Sequence, residues 1–166
     1  MTRYIALAIW LACIGGLSTG SATAQEWRSS ELTLGDQTYM SEQRAHIDAL
    51  ARRELGMQLR GTPDNDLQLL QRLLDEHVIS GDDTAELQAM GVVLGDLLKD
   101  RYGLLWKIYE DKRGRSRALE IPGHGEFLFP ITMISRRAEV GIKVDVEALW
   151  KKAGDIVLDV RGPSAW

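Results

Sequence analysis

The sequence predicts an α+β domain, on three observations. Apolar residues recur at helical spacing from Ile47 to Tyr102, strand-like alternation follows Gly103, and helical spacing returns from Ile131 onward. Helices and strands that are segregated along a chain, rather than alternating, build an α+β fold. The expected order is N-terminal antiparallel helices, a small antiparallel sheet of about three strands, and C-terminal helices.

Each element has a local reason. Ser41-Glu42-Gln43 reads as a helix start, and Ile47, Leu50, Ala51 and Leu55 form its apolar stripe until Gly56 to Gly61 ends it. Thr62-Pro63-Asp64 opens a second helix, with Thr as cap, Pro in the first turn and acids facing the dipole. Its stripe is Leu67, Leu70, Leu73, Leu74 and Val78, closed by Ser80-Gly81. Asp82 or Asp83 caps a third helix with Leu87, Met90, Val93, Leu94, Leu97, Leu98 and Tyr102 on one face. Short connections between the three favour antiparallel neighbours.

After Gly103, Leu104, Trp106 and Ile108 alternate with Leu105, Lys107 and Tyr109, which predicts a strand. Lys112-Arg113-Gly114-Arg115 suits a hairpin turn, and Ala118 to Ile121 pairs back. Pro122-Gly123-His124-Gly125 forces a loop before a brief strand at Phe127 to Phe129, stopped by Pro130. Ile131, Ile134 and Ala138 resume helical spacing up to Gly141, and Asp145 caps a last helix with Val146, Leu149, Trp150 and Ala153.

The N-terminus predicts an export signal over residues 1–24. Arg3 precedes an apolar run from Tyr4 to Leu17, shorter than the roughly 20 residues that span a bilayer, and Ala22-Thr23-Ala24 suits cleavage. A retained anchor is disfavoured by Gly15, Gly16 and Gly20. Lipidation at Cys13 is disfavoured by Trp10 three positions earlier, where such signals normally carry Leu. Without residues 1–24, the 166-residue chain becomes 142 residues with 24 acids against 19 bases and no cysteine, so its stability must come from packing and not disulfides. Residues 25–40 are expected to be a poorly ordered arm laid on the body by Trp27, Leu32, Leu34 and Tyr39. Residues 41–160 then form one domain, and 161–166 a tail.

The run from Leu87 to Trp150 contains Gly91-Val-Val-Leu-Gly95 on a helix, Gly103-Leu-Leu-Trp106 opening a strand, Asp111 and Gly114 at the turn, Phe129-Pro130, and Ser135-Arg136-Arg137. In this order the elements resemble the bacterial proteins grouped as domain of unknown function family 3806. The resemblance implies a small α+β domain, often exported. It implies no reaction and supplies no catalytic residues.

The sequence contains no phosphate-binding Gly-Lys-Ser/Thr loop, Gly-x-Ser-x-Gly elbow, His-Glu-x-x-His helix or zinc-type Cys pair. Four weaker constellations remain. His124, flanked by glycines, has Glu126 and Asp111 as acidic partners for proton transfer, set against a plain wet turn. A metal there would need His77 with Asp82 or Asp83 as well, and no metal or other cofactor is expected. Gly91 and Gly95 on the third helix imply either close approach by Trp106 or a ligand on a bare helix face. Lys112, Arg113, Arg115 and Arg117, with Arg136 and Arg137, could meet an anionic partner or simply form a solvated turn. Trp106, Trp150, Phe127 and Phe129 are core residues or the lining of a cleft.

The balance favours a small binding module of the cell envelope, whose partner is another envelope protein, a cell-wall component or a secreted toxin. Its acidic charge and lack of a basic face argue against nucleic acid. A periplasmic hydrolase built on His124 is the alternative.

Overall fold

The computed structural model describes residues 27–163; the expected signal, Cys13 and Trp166 lie outside them. Nine elements follow in order: β1 (Trp27–Glu31), α1 (Leu34–Leu55), α2 (Pro63–Asp75), α3 (Thr84–Tyr102), β2 (Leu105–Asp111), β3 (Gly114–Ile121), β4 (Glu126–Leu128), α4 (Ile131–Ala138) and α5 (Val146–Arg161). The fold is α+β. Its sheet is antiparallel throughout in the order β1-β2-β3-β4, with Trp106 opposite Leu119 and Leu119 opposite Leu128.

The segment expected to be a loose arm differs most. From Trp27 it is a fourth strand and then the first turns of α1, which begins at Leu34 and not at Ser41. Thr33 and Asp36 explain the early start. The Thr33 hydroxyl accepts from the Asp36 amide while the Asp36 carboxylate accepts from the Thr33 amide, a reciprocal cap on the helix N-terminus. β1 is held to β2 by Arg28 paired with Glu110 and by Lys107 paired with Glu31.

Other caps are also shared differently from the expectation. Thr62 stands at the start of α2 with extended backbone, but its side chain caps nothing; Asp66, buried inside the first turn, accepts from the Arg60 and Gly61 amides at 2.8 Å each. Asp83 precedes α3, and its carboxylate accepts from the amide and hydroxyl of Ser80, closing the preceding turn instead.

α3 is the hub. It is buried around its whole circumference, including the consecutive run Ala89 to Gly95, and α1, α2, α4 and α5 all pack on it. A helix enclosed on all sides has no polar stripe to keep, so the single apolar face expected of α3 is replaced by burial on every side. Trp106, Leu119, Ile121 and Leu128 bring the sheet into the same core. On the other face of the sheet Trp27, Tyr109, Phe127 and Phe129 form a cluster, with ring centroids 5.0–5.6 Å apart from Trp27 to Tyr109 and Phe127, and 5.2 Å from Tyr109 to Phe129.

Among the described residues, no helix is long and apolar enough to cross a membrane.

Candidate functional site

The candidates around His124 do not assemble. Gly123 and Gly125 take positive φ, 81° and 68°, and carry His124 on the exposed turn between β3 and β4. Its backbone amide donates to the Ile121 carbonyl at 3.2 Å, and its side chain has no bonding partner among the described residues. Glu126 follows in β4, exposed and opposite Ile121. Asp111 is opposite Gly114, at the other end of β3, and accepts from the Arg113 amide at 2.8 Å, which fixes the β2–β3 turn. The seven residue steps between Gly114 and Ile121 make about 23 Å of strand at roughly 3.3 Å per residue. Among the described residues no three His, Cys, Asp or Glu side chains gather as metal ligands, so His77, Asp82, Asp83 and His124 do not supply a set of three.

Gly91 and Gly95 are packing sites. A Cβ on Gly91 would stand 2.5 Å from the Ile131 Cα and 2.7 Å from the Pro130 carbonyl oxygen, so α4 lies directly on α3 there. A Cβ on Gly95 would meet the Trp106 ring 2.6 Å from Cη2. Trp106 is therefore a core residue. Its indole N–H donates to Asp96 at 2.9 Å, and Asp96 also holds Arg44 of α1.

The basic hairpin divides into two parts. Arg113 stays at the exposed tip. Arg115 and Arg117, further along β3, reach Asp36 at the start of α1. Asp36 is 3% exposed and its two oxygens accept six contacts: from Arg115 Nη1 and Nη2, Arg117 Nε and Nη2, and the amide and hydroxyl of Thr33. The Arg115 hydrogen bonds, helped by Thr33, hold this carboxyl well below the usual carboxylate range despite the opposing pull of burial. The guanidinium of Arg117 also lies 4.1 Å above the Tyr39 ring.

Beside this ion-pair knot is a cleft of about 290 Å³, lined by Arg115 and Arg117 from β3, Tyr39 from α1, Gln88 from α3, and Phe129, Thr132 and Arg136 around α4. Arg136 is exposed and has no acidic partner among the described residues. Its neighbour Arg137 instead donates to the Met133 carbonyl.

A larger cleft, about 720 Å³, runs between α2 and the start of α5. Leu67, Val144 and Trp150 form its apolar lining. Asp64, Asp75, Asp145 and Glu147 stand around it against Arg72 and Lys143. Arg72 is taken up by Glu76 one turn later. Gln71 fixes the walls: its amide nitrogen donates to the Val144 carbonyl at 3.2 Å and its oxygen accepts from the Val146 amide at 2.9 Å. A second cleft shares Asp75, Lys143 and Val144 and ends at Ile142, which is 56% exposed beside Val140 at 69%.

The family model described as "Domain of unknown function (DUF3806)" matches residues 66–150. The chain belongs to this family. The DUF3806 segment therefore runs from the first turn of α2 into the second turn of α5 and carries Arg115, Arg117 and Arg136, whereas Asp36 and Tyr39 come from α1, before it. The segment also spans the large cleft from Leu67 to Trp150, with Pro63 and Asp64 just ahead of it. No curated protein matches the chain. Among solved structures, a crystal structure from Bacteroides thetaiotaomicron VPI-5482 at 1.50 Å resolution is similar with a TM-score of 0.71 and 20% identity, over 78% of this chain and 48% of that one. That likeness is one of fold, and this chain spans about half the length of its neighbour.

Asp36, Asp66 and Asp96 carry little signal in the sequence. The signal for Asp36 is Thr33-x-x-Asp36, a cap pattern hidden in a polar stretch without apolar periodicity. Asp66 and Asp96 sit among helical acids with nothing local to separate them from solvated neighbours.

Proposed function

We propose that this DUF3806 protein is an exported binding module of the cell envelope, and that the cleft between α2 and α5 is its principal docking surface. The observation that carries the reading is the cleft itself: at about 720 Å³ it combines an apolar lining with a charged rim and walls tied together by Gln71. The side chains suited to catalysis, in contrast, are spread between a wet turn and the far end of β3. Export rests on the signal pattern of residues 1–24.

The occupant that fits is a segment of another envelope protein with basic side chains around an apolar anchor. Four carboxylates stand at the rim; Glu147 is paired with Lys151 and Arg72 with Glu76, which leaves Asp64, Asp75 and Asp145 against Lys143, so the cleft attracts positive charge. Leu67, Val144 and Trp150 supply the apolar contact. Ile142, exposed where the second cleft continues the first, extends that surface.

A photo-crosslinking residue at Gln68, exposed at the cleft, tests this in cells. The expected result is a discrete crosslinked partner in the envelope fraction, absent when the same residue is placed at Glu42 on α1. Identical crosslinking from both positions would contradict the assignment of the cleft.

A further inference from the structure

We infer that the small cleft bounded by α1, α3, β3 and α4 is an oxyanion site, taking a carboxylate or phosphate group on a small polar ligand. Arg115, Arg117 and Arg136 bring three positive charges to it and Asp36 returns one negative charge, while Glu110, opposite Arg115, is taken by Arg28, so the cleft holds two positive charges in excess in a chain whose formal charge is −4. The excess is local and placed.

Asp36 orients the site rather than filling it. Its six contacts leave it no capacity for a further donor, and they fix how the arginines present themselves. Arg115 gives Nη1 and Nη2 to Asp36 and keeps Nε–H. Arg117 gives Nε and Nη2 and keeps Nη1, while the Tyr39 ring at 4.1 Å holds its plane. The guanidinium donors left over are thus set in position before any ligand arrives, which removes the ordering cost that usually weakens recognition by long side chains. Charged N–H donors of this kind, one from each guanidinium, suit the oxygens of a carboxylate or phosphate.

Arg136 is the element that ion pairing within the fold does not explain. It lies one turn after Thr132 on α4, both line the cleft, and no carboxylate among the described residues neutralises it. Gln88 adds an amide from α3. A volume near 290 Å³ is at the lower end of ligand pockets, which run from roughly 300 to 1,000 Å³, so the ligand has the size of an amino-acid derivative or sugar acid and not of a polymer chain.

The test is a titration of the purified protein, followed by the arginine side-chain N–H signals and the Thr132 amide in nuclear magnetic resonance spectra. The probes are inorganic phosphate, N-acetylglycine and its neutral twin N-acetylglycinamide, all at one ionic strength. Saturable shifts are expected with phosphate, N-acetylglycine or both, and none with the amide; which anion binds more tightly tells the phosphate source from the carboxylate source. Arg136→Gln should weaken the binding about tenfold, the loss of one charge-assisted contact, with an unchanged melting temperature. Shifts that never saturate, equal shifts with the amide, or full binding by Arg136→Gln would overturn the site.

Discussion

Gly95 and Trp106 are in direct contact: the indole lies over the bare α-carbon of α3 so closely that a Cβ would stand 2.6 Å from Cη2. The ring cannot retreat, because it is 8% exposed and its N–H is held by Asp96 at 2.9 Å. Alanine gains about 1 kcal/mol over glycine in a helix interior, whereas forcing atoms into a packed core costs about 1–3 kcal/mol or more. Gly95→Ala should therefore be destabilising on balance by about 1–2 kcal/mol, with a changed near-ultraviolet circular dichroism signal from Trp106. Gly91→Ala should be worse, since the obstacle there is the backbone of Ile131 and Pro130, which has no rotamer to change. Urea unfolding of the two variants beside the wild type gives the order.

Asp36 makes a second prediction, with a pH signature. Asp36→Asn removes the charge that two arginines share. A buried pair broken on one side costs roughly 3–5 kcal/mol, and because the Arg115 side chain is 43% exposed the expected loss is smaller, about 2–3 kcal/mol. The Arg115 hydrogen bonds depress this carboxyl in the folded state, so the unfolded chain takes up its proton first as pH falls. Its stabilisation is complete above the ordinary aspartate value of 3.8 and is lost as pH falls below it. The gap between wild type and Asp36→Asn in unfolding free energy should be wide at pH 7 and narrow steadily from pH 4 toward pH 2.

Arg113 and Arg115 are near neighbours in sequence with different tasks. Arg113→Glu changes an exposed tip and should leave stability within about 0.5 kcal/mol. Arg115→Glu places a carboxylate against Asp36 and should cost at least the 2 kcal/mol or so of the lost pair. Thermal melts of the two variants separate these roles, and equal melts would show that the ion-pair knot contributes nothing.

Much of the fold is legible in the sequence because its helices and central strands carry strong periodicity. The stripe from Leu87 to Tyr102, the alternation around Trp106 and the Asp145 start of α5 all correspond to elements of the structure. The fourth strand is less visible: Trp27–Glu31 is an edge strand with four exposed residues, Arg28 to Glu31, so it shows no apolar alternation, and its pairing is set by β2, some eighty residues away. The candidate sites were harder for the same reason. Arg115 and Arg136 are visible as basic residues, but nothing local says that Asp36 lies beneath one of them and leaves the other without a partner. The large cleft joins α2 to the start of α5 through Gln71, whose side chain bridges more than seventy positions. Such contacts belong to tertiary packing and leave no spacing to read.

The most direct test of the binding account is capture from envelope extract with three baits: the wild-type protein, His124→Ala and Gln68→Trp, the last filling the α2–α5 cleft from an exposed helix position. The account predicts one partner retained by the wild type and by His124→Ala and lost by Gln68→Trp, with the folded signal of all three unchanged. A partner retained by Gln68→Trp, or lost only by His124→Ala, would contradict it.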